Sequence, residues 1–234
     1  MKSTLPLLAT LSLNPWFGGM PVSEQRALLG AAVLLRLNPG EMLFRQGDEV
    51  SGGSGGFYGL LGGTLKASTL REDGREAILA LLEAGNWFGE ISLIDGLPRT
   101  HDATALAPAE VLAVPGRAFQ ALMKRNAFAR SVSLLLATRV RSLYGMVEDA
   151  TLRSTRARVA RRLLLLARGD ASPAGDARPV LPVSQEALAM MLGITRQTLS
   201  KELKVLVARG AIALGYGRIE IASVARLEAL ASLA

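Results

Sequence analysis

Residues 183–206 read VSQEALAMMLGITRQTLSKELKVL, and within them Arg196, Gln197, Ser200 and Lys201 stand where side chains could read the edges of base pairs. Arginine can pair bidentately with guanine O6 and N7, glutamine with adenine N6 and N7, and lysine reaches guanine or phosphate. That chemistry needs a rigid helix whose first turns fit a groove. Ser184 is placed to cap a helix running to Met191, with Glu186 in its first turn, where the helix dipole favours an acid. Gly193 falls where a tight interhelical turn needs a residue free to take positive φ. Thr195 then caps a second helix to about Ala208, and Leu188, Leu192, Ile194, Leu199 and Leu203 are spaced to lock the pair together. The pattern predicts a helix-turn-helix whose second helix enters the major groove by its N-terminal residues. An ordinary αα-hairpin is the alternative.

The surroundings favour the first reading. Residues 211–214 and 218–221, around Gly215-Tyr216-Gly217, look like a two-stranded wing. A helix over 156–168 carries Val159, Leu163, Leu164 and Leu166 among arginines, and residues 169–182 read as a loop. Residues 151–234 hold 13 Lys and Arg against 6 Asp and Glu, which is the whole net charge of +7. A neutral front and a basic last third point to a polyanion partner for the C-terminal part alone. A merely solvated arginine-rich surface is the bland reading of the same charge.

Composition removes other chemistry. With no cysteine there is no disulfide, thiolate zinc site, cysteine-held iron–sulfur cluster or cysteine nucleophile. With a single histidine, His101, a His-rich metal centre or a Ser-His-Asp triad is hard to build. Haem ligation through His101 gives way to a loop histidine, and Trp87, Phe88, Met190 and Met191 read as packing residues. Glu90 and Asp102 are close in sequence, but nothing supplies a nucleophile, metal or oxyanion site, so no enzyme is expected. No apolar run reaches the roughly 18–20 residues of a membrane span. The opening stretch, Lys2 and then 5–13, has one basic residue, a central proline and no small-x-small cleavage site, so a cytoplasmic location is expected.

The front of the chain must supply whatever controls the basic part. Residues 20–36 read as a helix with Ser23 as its cap. From Leu37 to about Pro115, short apolar runs (42–44, 57–61, 64–68, 77–82, 110–114) alternate with Gly, Asp and Pro turns, the texture of a β-sandwich or roll. Asp73-Gly74 marks a hairpin, and the Gly-rich residues 51–56 a loop inside the roll. After a helical region from Arg117, Leu136, Val140, Leu143, Val147 and Ala150 recur four and three apart, as coiled-coil core positions do. A helix pairing with its twin across a two-fold axis fits this spacing. Packing on its own roll is the alternative, and 134–136 suggest that one side does so as well.

Residues 88–103 read FGEISLIDGLPRTHDA. This resembles the phosphate-binding cassette of cyclic-nucleotide-binding folds, F-G-E-x-x-L, a short turn, then P-R-[TSA]. With the roll before it and the helix-turn-helix after it, the chain resembles the CRP/FNR superfamily from about Asn14 to Leu227.

The resemblance implies an α+β fold: an N-terminal antiparallel β-roll of the double-stranded β-helix (jelly-roll) type, a long dimerisation helix and a C-terminal winged helix-turn-helix. The corresponding domains are 1–125, 126–152 and 153–234. Arg99 would take a cyclic phosphate with its planar fork, Glu90 the ribose hydroxyl, and Gly89, Ser92 and Thr100 would line the cradle, with Leu143 and Tyr144 facing it from the long helix. Helix-turn-helix contacts would come from Ser184, Thr195, Arg196, Gln197, Ser200 and Lys201. The expected effector is cyclic AMP or cyclic GMP, with no required cofactor. The expected partners are a palindromic DNA operator, a second copy of the chain and RNA polymerase. His101 and Asp102 depart from the small residues usual after the cassette threonine, Asp102 could compete for Arg99, and Glu90 could pair internally with Arg99. Leu143-Tyr144 replace a Thr-Ser pair, and Arg196-Gln197 with Lys201 replace R-E-x-x-x-R in the recognition helix. A different effector, no diffusible effector, or a nucleotide-binding scaffold acting on protein partners remain the alternatives.

Overall fold

Short apolar runs broken by glycine turns pair into two four-stranded sheets in the computed structural model, which describes residues 11–12, 14–50, 55–171 and 178–232. The chain runs α1 (Pro15–Gly18), α2 (Val22–Gly30), β1 (Val33–Leu37), β2 (Met42–Phe44), β3 (Gly56–Gly62), β4 (Thr64–Leu70), β5 (Glu76–Glu83), β6 (Trp87–Phe88) and α3 (Glu90–Asp95). It continues through β7 (Asp102–Ala105), β8 (Ala109–Pro115), α4 (Gly116–Met123), α5 (Asn126–Leu152) and α6 (Thr155–Arg168). The remaining elements are β9 (Val180–Leu181), α7 (Gln185–Leu192), α8 (Arg196–Ala208), β10 (Ile212–Gly215), β11 (Arg218–Ile221) and α9 (Val224–Ala231). Most residues up to Arg139 belong to one compact unit and most from Val140 onward to another.

In the first unit the sheets have orders β1-β8-β3-β6 and β2-β7-β4-β5, with antiparallel ladders. Tyr58, Leu60, Phe88 and Val111 of the first sheet pack against Phe44, Leu65, Leu82 and Ala103 of the second. The other face of the first sheet, Phe57, Trp87, Leu112 and Val114, is covered by Phe17, Leu28, Phe119, Phe128, Val132 and Leu135 from the helices. β3 is therefore buried on both faces, which is why 57–61 reads as a continuous apolar run. Gly59 lets this happen: a Cβ there would stand 2.8 Å from the Trp87 ring.

Two expectations fail here. The helix expected over 20–36 stops at Gly30, and 33–37 form β1 against Ala109–Ala113. A partner strand far along the chain, Ala109–Ala113, decides this, and local spacing does not carry it. Ser23 is not the cap: that position is Pro21, and Ser23 Oγ donates to Glu24 at 3.4 Å. The residues 1–10, 13, 51–54 and 172–177, on which the expectations for the opening stretch, the loop inside the roll and the loop over 169–182 partly rest, lie outside the described residues.

The expected hairpin forms, with Gly74 at φ 79° and Arg71 N–H donating to Arg75 O at 3.0 Å. The long helix α5 has 27 residues, about 40 Å at 1.5 Å per residue. Its first half buries Phe128, Ser131, Val132 and Leu135. Its second half leaves Val140, Leu143, Tyr144 and Val147 exposed.

In the second unit, α6 to α9 enclose Val159, Leu163, Leu188, Leu199, Leu203 and Leu227. The wing β10–β11 gains a third strand, β9, through Leu181 opposite Ile219. Sequence spacing signals neither β9 nor α9. Ser154, Ser184, Thr195 and Ser223 each cap the helix they precede, their side-chain oxygens accepting from backbone N–H groups three residues on.

Candidate functional site: an arginine cradle and an exposed recognition helix

The cradle is made by a strand that ends in glycine. β6 delivers Gly89 at φ 93°, and the chain turns at once into α3. A Cβ on Gly89 would meet the Gly56 carbonyl at 2.9 Å and Arg99 Nη1 at 3.2 Å, so the close approach admits only glycine. Ser92 Oγ, buried, donates to Pro98 O at 3.2 Å and folds the loop after α3 back over the helix. Arg99 is thereby carried inward, and the residue is only 4% exposed.

Two main-chain carbonyls hold the guanidinium. Nη1 donates to Gly89 O at 2.7 Å and Nη2 to Gly56 O at 2.9 Å. The Phe44 ring lies 4.5 Å from its carbon, and the Tyr58 ring 5.6 Å. Burial pulls its pKa below the ordinary arginine value, and a guanidinium keeps its charge in proteins. Among the described residues no carboxylate forms an ion pair with it, and Glu90 and Asp48 act on it only through space. A buried cation held by neutral carbonyls and aromatic faces retains attraction for an anion.

Glu90 is fully buried and pairs with Arg139 of α5, whose other nitrogen donates to Trp87 O. The internal Glu90–Arg99 ion pair is thus replaced by a Glu90–Arg139 pair. The second oxygen of Glu90 has no hydrogen-bond partner among the described residues. Asp102 does not compete for Arg99; its Oδ1 accepts from Gln46 N–H at 2.7 Å. Thr100 Oγ1 lies 2.8 Å from His101 Nδ1, and the imidazole packs 5.9 Å from the Phe44 ring.

Gly89, Glu90, Ser92, Arg99 and Thr100 therefore come together in the first unit. Leu143 and Tyr144 stand 59% and 72% exposed on the part of α5 that belongs to the second unit. Sequence reasoning missed Arg139, Phe44 and Tyr58. Arg139 sits 49 residues from its partner with no local signal, and Phe44 and Tyr58 read as ordinary strand residues.

In the second unit, Ser184 Oγ accepts from Ala187 N–H and Thr195 Oγ1 from Thr198 N–H, both at 3.1 Å. Gly193 between α7 and α8 takes φ 62°. Arg158 donates to Leu192 O at 2.8 Å, meeting the C-terminal carbonyls of α7. Leu199, Leu203 and Leu206 bury one face of α8. Arg196, Gln197 and Lys201 stand on the opposite side, with Ser200 half-buried between them. Lys204, one turn beyond Ser200, extends that outer row and is a further residue that sequence reasoning missed. The wing tip carries Tyr216, fully exposed.

Residues 34–126 match the family model of the cyclic nucleotide-binding domain, and residues 157–230 that of the Crp-like helix-turn-helix domain. The chain is 32% identical to the cyclic AMP receptor protein of Thermus thermophilus, the match covering 93% of this chain and 97% of that one. It is 31% identical to the global nitrogen regulator of Synechococcus elongatus over 78% of this chain and 82% of that one. Among solved structures, a CRP-family transcriptional regulator of Thermus thermophilus superposes with a TM-score of 0.67 at 30% identity, covering 86% of this chain and 97% of that one.

Proposed function

Because the chain belongs to the CRP/FNR family of transcription regulators, we propose that it binds a palindromic operator as a homodimer under the control of a cyclic mononucleotide held at Arg99. The observation that carries the effector site is the guanidinium itself: a buried positive charge, with no carboxylate paired to it among the described residues, beside a carboxylate with one free oxygen. Arg99 takes the cyclic phosphate and Glu90 accepts from the ribose hydroxyl, while Gly89, Ser92 and Thr100 shape the cradle. Leu143 and Tyr144 contribute from the long helix. The effector domain is 1–125, the dimerisation helix 126–152 and the DNA-binding domain 153–234. Ser184, Thr195, Arg196, Gln197, Ser200 and Lys201 meet the operator, and RNA polymerase is the further partner. Calorimetric titration with cyclic AMP and then cyclic GMP tests the effector. Saturable heat with either supports the reading, and none with both rejects it.

The exposed apolar row of α5 supports the dimer. Val140, Leu143 and Val147 repeat at coiled-coil spacing and are all exposed. Leu143→Glu places a charge in that seam, and the expected result is a monomer by sedimentation with unchanged helix content by circular dichroism. A stable dimer of the variant counts against α5 as the interface.

Gln197 supports an operator that departs from the usual family half-site. An amide matches adenine N6 and N7, whereas glutamate accepts from cytosine N4. Selection from random duplexes is expected to return adenine opposite Gln197, with Gln197→Glu moving the preference to cytosine by about 1–3 kcal/mol. Identical consensus sequences for both proteins would contradict this.

A further inference from the structure

We propose that His101 sets the direction of the Thr100 hydroxyl proton and thereby the affinity of the cradle for an anionic phosphate. The inference rests on the reading that the cassette takes such an effector. Thr100 Oγ1 and His101 Nδ1 are 2.8 Å apart, so one of them donates to the other. If the hydroxyl donates to a bare Nδ1, it turns only lone pairs toward an arriving phosphate, whose oxygens accept and do not donate. If Nδ1–H donates to the hydroxyl oxygen, the O–H is released toward the phosphate. A protonated imidazole permits only the second arrangement.

The surroundings hold the pair in place and set its charge. The Phe44 ring that lies under the Arg99 guanidinium also packs against the His101 ring, at 5.9 Å. Glu90 on α3, Arg139 on α5, Arg99 beside it and Asp102 on β7 are the charged groups that face the imidazole. Burial pushes its pKa below the ordinary 6.5; Glu90 and Asp102 pull it back up, and Arg139 and Arg99 push it further down. The free protein at neutral pH therefore holds a neutral imidazole. An incoming anion favours the charged form, so its binding draws in a proton. Affinity consequently rises as pH falls from the bound-state pKa toward the free-state pKa, and levels off below it. A cyclic phosphodiester keeps its single charge throughout that range, so the change belongs to the protein. His101 is a positioning residue: it acts through Thr100.

His101 is the single histidine of the chain, so its imidazole nitrogens can be followed by NMR without assignment. The probes are cyclic AMP and cyclic GMP, titrated at pH 6 and pH 8. The expected result is an imidazole that is neutral in the free protein at pH 8 and that, at pH 6, gains a proton at Nδ1 on saturation, with affinity up to roughly tenfold higher at pH 6 than at pH 8, the value of one charge-assisted hydrogen bond. His101→Asn keeps an N–H donor and should bind with the pH 6 affinity at both values. His101→Phe keeps the ring against Phe44 but removes the acceptor, so the Thr100 hydroxyl is free to donate and the variant should bind with one pH-independent affinity, above that of wild type at pH 8. Wild-type affinity and pH profile in His101→Phe overturn the inference. If that result accompanies loss of binding in Arg99→Ala, the cradle reading stands without it. Absence of saturable binding of both nucleotides to the wild type removes both.

Discussion

Arg99→Ala is expected to abolish the heat of the proposed cyclic-nucleotide binding, its affinity falling by at least about thirtyfold. Truncating one member of a buried, hydrogen-bonded charge pair costs about 2–5 kcal/mol, which is roughly 30-fold to several-thousandfold in affinity. The effect is large because the guanidinium is buried and its neighbour Arg139 is already engaged by Glu90. The same substitution strands the Gly89 and Gly56 carbonyls, which receive Nη1 and Nη2 at 2.7 and 2.9 Å. A modest fall in melting temperature is therefore expected as well, and the titration is interpreted only on folded protein. Arg99→Lys separates the two effects. It keeps the charge but cannot span both carbonyls and the ligand, so intermediate affinity is expected. A folded Arg99→Ala protein that binds like wild type would mean that the anion does not sit at this arginine.

The second large effect is on stability. Arg139→Met should destabilise the protein by about 3–5 kcal/mol, because it leaves the Glu90 carboxylate buried without its ion-pair partner. For a chain of this size the melting temperature should drop on the order of 10 °C. Glu90→Gln combined with Arg139→Met removes the stranded charge and should recover most of the loss. Urea unfolding of the two single variants and the double variant completes a cycle whose coupling energy measures the pair directly. Additive single effects would show that the two residues do not share an interaction. Arg139 also donates to the Trp87 carbonyl, the residue before the cassette. The variant should loosen the entry to the cradle as well as its charge.

What the sequence revealed divides by range. The caps Ser184 and Thr195, the turn Gly193 and helix α8 follow from neighbours within four residues, and the structure places them where the pattern did. Strands β2, β3, β4, β5 and β8 announced themselves through apolar runs between glycine turns. β6 and β9 have two residues each, too short for any periodicity to register. β1 reads as the end of a helix, because its leucines also fit helical spacing, and pairing with β8 makes it a strand. The cassette was visible because its five residues lie within one loop-helix-loop. Arg139, Phe44 and Tyr58 enter it from three other elements, so no window along the chain contains them.

Helix α8 separates two jobs by face. Leu199, Leu203 and Leu206 face inward with no exposed surface, and each would cost about 2–5 kcal/mol as alanine. Arg196, Gln197, Lys201 and Lys204 face outward, where substitutions usually change folding by no more than about 0.5 kcal/mol. If the outer row reads the operator as proposed, a lineage can change its promoters by drifting along that row while its folding free energy stays nearly constant. Gene duplicates of such a chain can diverge in regulon long before they diverge in fold.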